Sequence, residues 1–330
     1  MYKIKQAPED FKVTEKIELH IDPEGDYTYF WLNKKEYTTV RAIQKIAAFL
    51  GCRLKDIGFA GNKDRQAITK QAISVKDFGK RVGENRFERF DSEGLKLEYI
   101  GRGKAPISLG DLEGNEFEII IHDCDKAPEK ISQFINYFDE QRFSQTNRDV
   151  GKAILKGDMK KACSLIDAPE VKKHIEEKAN DYVGAMKELP IKTRLMLVHS
   201  YQSYLWNETV KEYLQSRYKD CANVEYSLGI LAFPKKNIEN ISVPIIGFGL
   251  EIADKEMKEI TNRIMKKEEL NERDFVIRSM PELSAEGGKR DLVSEVKDLK
   301  IEKIEDKTYR LKFFLQKGSY ATMAVKRMMI

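Results

Sequence analysis

The 330-residue sequence is poor in the residues that build metal and redox centres. Four cysteines, Cys52, Cys124, Cys163 and Cys221, are scattered with no C-x-x-C pair, and there are only four histidines. Neither a disulfide framework nor a zinc site has the needed spacing, which fits a reducing cytoplasm. No apolar run is long enough to span a membrane, and Met1–Lys5 carries no apolar leader segment. Phosphate loops are missing as well. Gly287-Gly288-Lys289-Arg290 lacks the first glycine of a nucleotide-binding loop, and Gly101-x-Gly103 lacks the third glycine of a dinucleotide fingerprint. In Asn62-Lys63-Asp64 the aspartate comes one residue early for a guanine reader. No metal and no cofactor are therefore expected. What remains is chemistry by carboxylates, cations and aromatics.

Enough is present for a large core. Hydrophobic residues make up 41% and charged residues 34%, with a formal net charge of +4. Such a mild excess permits RNA binding without arguing for it. There is no internal repeat and no low-complexity linker. Alternation predicts strands over 11–21 and 27–32, paired as a hairpin about Asp22–Gly25. A helix follows over 40–50, with Thr38 or Thr39 as cap, Val40, Ile43, Ile46, Ala47 and Leu50 on one face, and Gly51 ending it. Further strands are expected over 69–75, 95–100 and 115–121, and a helix over 129–138. Gly101-Arg102-Gly103-Lys104 reads either as an exposed turn or as a loop contacting phosphate.

From residue 146 the texture turns to short amphipathic helices at 150–155, 159–166 and 171–179, then a long one at 193–216. In the long helix Tyr201, Tyr204 and Trp206 suit a core better than base stacking. Strands at 228–233 and 241–248 and a helix at 253–266 follow. From 275 the pattern returns to strands, clearest at 307–316, and Ser319 caps a last helix over 320–329. This order reads as an α+β fold: a sheet domain, residues 1–145 and 275–330, interrupted by a helix-rich α/β insertion, 146–274.

One stretch carries chemistry. Ile57, Phe59 and Ala60 close a buried strand, and Gly61-Asn62, both tolerant of positive φ, break it. Lys63, Asp64 and Arg65 come next, before an alternating run through Ile68, Thr69, Gln71 and Ile73. A carboxylate at such a break, flanked by cations, stays ionised and fixed, as a carboxylate nucleophile must. Alone, the segment also reads as an ordinary solvated turn.

Five ordered blocks decide between the two. Gly61-x-Lys63-Asp64-Arg65-x-Ala67-x-Thr69-x-Gln71 resembles the signature of the TruD family of tRNA pseudouridine synthases. Pro8-Glu9-Asp10-Phe11-x-Val13-x-Glu15, Leu109-Gly110-x-Leu112-x-Gly114-Asn115-x-Phe117-x-Ile119, Tyr137-Phe138-x-x-Gln141-Arg142-Phe143 and Gly318-Ser319-Tyr320-Ala321-Thr322 resemble that family's other blocks, in order. The chain departs from the pattern at Asp139 and Ser144, where the family usually has glycine.

The resemblance implies a pseudouridine-synthase catalytic domain with a mixed, largely antiparallel sheet, and a TRUD insertion domain forming the other wall of an RNA cleft. It implies isomerisation of uridine to pseudouridine in tRNA, at uridine 13 of the D arm, by a cytoplasmic monomer. Asp64 is the implied catalytic carboxylate and Lys5 the basic residue paired with it. Phe117 covers the target base in this reading, with a core role as its alternative. Asn115, Lys63, Arg65, Gln71 and Arg142 complete the substrate-binding set. Two other functions stay open at this point: a non-catalytic RNA-binding or chaperone protein on the same fold, and a metal-dependent nuclease using Asp10 and Asp64.

Overall fold

The computed structural model of the chain describes residues 2–76, 87–90, 92–144 and 146–330, with only the backbone of Glu88. It divides into two compact units, residues 1–133 with 294–330, and residues 134–293. Elements of the first unit are β1 (Lys3–Ile4), β2 (Phe11–Lys16), β3 (Tyr27–Lys35), α1 (Thr39–Leu50), β4 (Ile57–Phe59), β5 (Ile68–Lys76), β6 (Leu95–Gly103), β7 (Gly114–His122), β8 (Lys297–Glu305) and β9 (Thr308–Gln316). Among the described residues these nine strands form one sheet, in the order β8-β9-β7-β2-β5-β3-β6, with β1 added to β7 and β4 to β5. The pairings are antiparallel except β2 with β5, which is parallel. The fold is α+β.

The expected hairpin of the first two long strands does not form. β5 lies between β2 and β3, so β2 pairs with β5 and β7 instead. β7 brings Ile119 and Phe117 to the same face as Phe11 and Val13, and β5 brings the buried Thr69. Register places Val13 opposite Phe117 on one side and Thr69 on the other. Burying that face decides the partners, and a local turn at Asp22–Gly25 does not.

α1 covers one end of the sheet. The Thr38 side chain accepts from the Arg41 amide, and Gly51, at φ 67°, takes the left-handed turn that stops the helix. Ala42, Ile43, Ile46, Ala47 and Leu50 pack on Phe30, Leu32, Ile73, Val75, Leu95 and Leu97. Val40, expected on that face, is exposed. Arg102 and Lys104 are committed within this unit: the Arg102 guanidinium donates to the Gly25 carbonyl, and Lys104 pairs with Asp22. Ser319 does not cap the last helix, Ala321–Met328; its hydroxyl lies 2.7 Å from that of Ser294.

The second unit is built on the helix Ile191–Arg217, whose Tyr201, Leu205, Trp206 and Val210 are fully buried. Tyr201, Tyr204 and Trp206 are thus core residues. Short helices at Asn147–Leu155, Met159–Ser164, Pro169–Glu177 and Tyr182–Lys187 precede it. Hairpin Cys221–Tyr226 with Gly229–Pro234, a two-strand pairing of Ser242–Ile245 with Gly288–Asp291, and helix Lys255–Lys267 complete it. The sequence texture changes at 146 and 275, but packing divides the chain earlier and later. Tyr137 is buried with its hydroxyl on the Ala232 carbonyl, and Arg194 reaches Glu282, so both flanks belong with the middle.

Residues 129–138 are not helical. Ile131, Phe134, Ile135 and Phe138 have helical spacing, yet Gln133–Ile135 is a strand and Phe134, Ile135 and Tyr137 are all buried. A short apolar run buried on every side does not reveal its period.

Ser144 explains one departure from the family pattern. It ends the helix Glu140–Phe143 at φ 49°, ψ −158°, close to a region that glycine alone enters easily. Asp139, in ordinary extended backbone at φ −80°, carries no such demand. Ser144→Gly should therefore raise stability by about 1 kcal/mol, the released strain exceeding the added chain entropy. Urea unfolding checks this; a loss of stability would show that the serine's contacts outweigh the strain.

Candidate active site

The loop after β4 carries Lys63, Asp64 and Arg65. Neither Gly61 nor Asn62 uses a positive φ, contrary to expectation, and a Cβ at Gly61 would meet nothing closer than the Lys63 ammonium at 3.9 Å. The bend is held by side chains. The Gln71 amide donates to the Gly61 carbonyl (3.1 Å), and its oxygen accepts from the Thr39 hydroxyl (3.0 Å). The Thr39 oxygen in turn accepts from the Lys63 amide (2.9 Å). Lys34, on β3, donates to the carbonyls of Tyr37 (2.8 Å), Lys63 (3.3 Å) and Asp64 (2.7 Å). Thr39, Gln71 and Lys34 are all buried.

The positive φ that the loop avoids appears opposite it. Lys5 stands at φ 56°, in left-handed backbone, and its ammonium donates to the Asp64 carboxylate at 2.7 Å. Both side chains stay partly open, at 20% and 28% exposed. The same ammonium lies 4.2 Å from the centre of the Phe11 ring. Phe11 meets Phe117 edge to face at 6.1 Å, and Phe117 stacks on Phe313 at 5.5 Å. A line of contacts thus runs from Asp64 through Lys5 and Phe11 to Phe117. Phe117 is 9% exposed, so its ring is largely packed.

The remaining expected residues are placed differently from one another. Lys63 is turned inward: its ammonium is bonded to Glu15, and Glu15 also accepts from the Ala72 amide at 3.1 Å. Lys63 and Gln71 thus spend their polar groups inside the chain. Asn115 sits opposite Glu15 across the β2–β7 ladder, and its side-chain oxygen is buried without a hydrogen-bond partner among the described residues. Arg65 is exposed and makes no ion pair among the described residues. Arg142 belongs to the second unit, where its guanidinium lies 3.4 Å from the Ser203 hydroxyl. There burial, then the Arg142 charge, lowers the pKa of His199. Asp10 is committed locally, accepting from the Ala7 amide and lying 3.1 Å from His122.

The family model for tRNA pseudouridine synthase D (TruD) matches residues 2–173, 170–225 and 231–328. The chain belongs to the TruD family. Its TruD-family relative from Nanoarchaeum equitans is 31% identical over 389 residues, 99% of this chain and 98% of the relative. The tRNA pseudouridine synthase D of Aquifex aeolicus is 26% identical, over 99% and 97%. A crystal structure of the TruD-family protein of Methanosarcina mazei matches with a TM-score of 0.71 and 25% identity, covering 99% of this chain and 93% of that one. As a member of the family the chain is a pseudouridine synthase, an isomerase.

Three residues around this candidate site were not expected from the sequence: Lys34, Thr39 as a loop anchor, and Glu15 as the partner of Lys63. A signal for Lys34 existed. Phe30, Leu32 and Lys34 alternate on one face of β3, so the lysine points where its neighbours are apolar.

The buried Glu15–Lys63 pair makes a test. Lys63→Met leaves the Glu15 carboxylate unpaired and should cost about 3–5 kcal/mol. Glu15→Leu combined with Lys63→Met should cost less than Lys63→Met alone. Chemical denaturation of wild type, Lys63→Met and the double variant checks this, and a double variant no more stable than Lys63→Met would contradict it.

Proposed function

We propose that this chain converts uridine 13 in the D arm of tRNA to pseudouridine, with Asp64 as the carboxylate in contact with the reacting nucleotide. The reaction breaks the bond between the sugar C1′ and N1 of uracil, turns the base, and joins C1′ to C5. C5 loses a proton and N1 gains one, so atoms balance without a cofactor. The chemistry needs an ionised carboxylate in a fixed place and a nucleotide taken out of the stack.

The observation that carries this reading is the Lys5–Asp64 contact, partly open to solvent, on a loop whose backbone is pinned from within. A cation at 2.7 Å favours the charged carboxylate. Asp64 acts either as nucleophile or as base towards the sugar. Phe117, at the end of the contact line, is the aromatic residue in that line that would meet the base. Asn115 brings a buried amide oxygen, without a partner among the described residues, that a base N–H would satisfy. The exposed guanidinium of Arg65, without an ion pair among the described residues, suits a phosphate. Lys63 and Gln71 serve the substrate by holding the loop that carries Asp64.

Asparagine keeps the shape of Asp64 without its charge. Asp64→Asn should fold and bind tRNA transcript like the parent, yet form no pseudouridine in a single turnover with enzyme in excess. Product with parent enzyme should map to position 13 and vanish when that uridine is replaced by cytidine. Substantial product from Asp64→Asn would remove the carboxylate assignment; product at another uridine would remove the D-arm assignment.

A further inference from the structure

We infer that Lys34 is a positioning residue for the reaction: its buried ammonium fixes the two peptide groups on either side of the Asp64 Cα, and so the direction of the carboxylate. The inference rests on the assignment of Asp64 above.

Lys34 is 1% exposed, among the most buried large side chains of the protein. It lies on β3 opposite Thr69 of β5 and Leu95 of β6. No carboxylate lies within ion-pair distance of it among the described residues. Its three N–H groups meet three carbonyls instead: Tyr37 before α1, Lys63 and Asp64. An ammonium has three donors and no acceptor, so its capacity is fully used. The Lys63 carbonyl belongs to the peptide entering Asp64, and the Asp64 carbonyl to the peptide leaving it. Holding both restricts φ and ψ of Asp64 together. Burying an ammonium without a counter-ion is costly, and a leucine or methionine would fill the space at lower cost. What the lysine alone supplies is a fixed charge-assisted grip on that backbone.

Titration separates this role from plain support. The charged groups facing Lys34 are Lys63 and Asp64 on the loop, with Lys5 behind Asp64; the Tyr37 phenol is turned to Lys45, and Thr69 and Leu95 are neutral. Burial first, and then the Lys63 charge, pull the Lys34 pKa from 10.5 down to about 8 against the opposing pull of Asp64. Above that pH the neutral amine has two N–H groups for three carbonyls. Activity should therefore fall as pH rises through about 8. Stability should move the other way. Between about 8 and 10.5 the unfolded chain holds the proton that the folded one has lost, so this group's contribution to stability rises with pH.

The experiment compares wild type, Lys34→Met and Asp64→Asn in single-turnover pseudouridine formation on tRNA transcript from pH 6 to 10, with tRNA affinity and thermal melting alongside. Wild type should show a descending limb near pH 8. Lys34→Met should bind tRNA normally, react about 100-fold more slowly at pH 7, and lack that limb. A folded Lys34→Met at the wild-type rate, beside an inactive Asp64→Asn, overturns the role of Lys34 alone. Product from Asp64→Asn overturns this inference and the reading beneath it. Should Lys34→Met fail to fold, the wild-type profile decides: a rate flat to pH 9 overturns the inference, and a limb near 8 with stability rising over the same range supports it.

Discussion

A carboxylate placed where a strand breaks faces a conflict. The break is needed for access, yet it leaves backbone donors and acceptors without ladder partners, and a loose loop cannot aim a side chain. The protein resolves this by bonding the loop to side chains of the sheet and of α1. Gly61 is held by Gln71, the Lys63 amide by Thr39, and the carbonyls of Lys63 and Asp64 by Lys34. This requirement explains several features together: a glutamine and a threonine with no access to solvent, a lysine inside a strand, and a helix whose first residue reaches under the loop.

The same face holds its charges at a cost. Glu15 and Lys63 are buried as a pair, and Lys34 is buried with no carboxylate partner among the described residues. Lys5 adds a left-handed backbone, a conformation that costs about 1–3 kcal/mol outside glycine. Lys34, Lys63 and Glu15 thus place three charged side chains inside the sheet beside the loop that carries Asp64. The sheet of a pseudouridine synthase thus gives up stability locally to keep one carboxylate in place.

Much of this was legible in the residues. Thr38 and Gly51 mark the ends of α1, the alternation of 307–316 marks β9, and the Gly-x-Lys-Asp-Arg block marks the loop. Pairing was not legible: β2 seeks β5 and β7 because of where its apolar face is buried, which is a property of distant residues. The partners of Lys34 and Lys63 were hidden for the same reason, since a lysine's sequence neighbours do not reveal whether it is solvated or bonded to a carbonyl 30 residues away. At Ser144 the reverse holds. The departure from glycine was visible, but only the backbone angles show what it costs.

Thr39→Val tests most directly whether the aim of Asp64 governs the chemistry. Valine keeps the shape at the start of α1 and removes the one hydroxyl that accepts from the Lys63 amide and donates to Gln71. The account predicts unchanged tRNA affinity and a single-turnover rate lower by at least about 10-fold, through misplacement of the carboxylate. Pseudouridine formed at the parent rate by a folded Thr39→Val enzyme would contradict it.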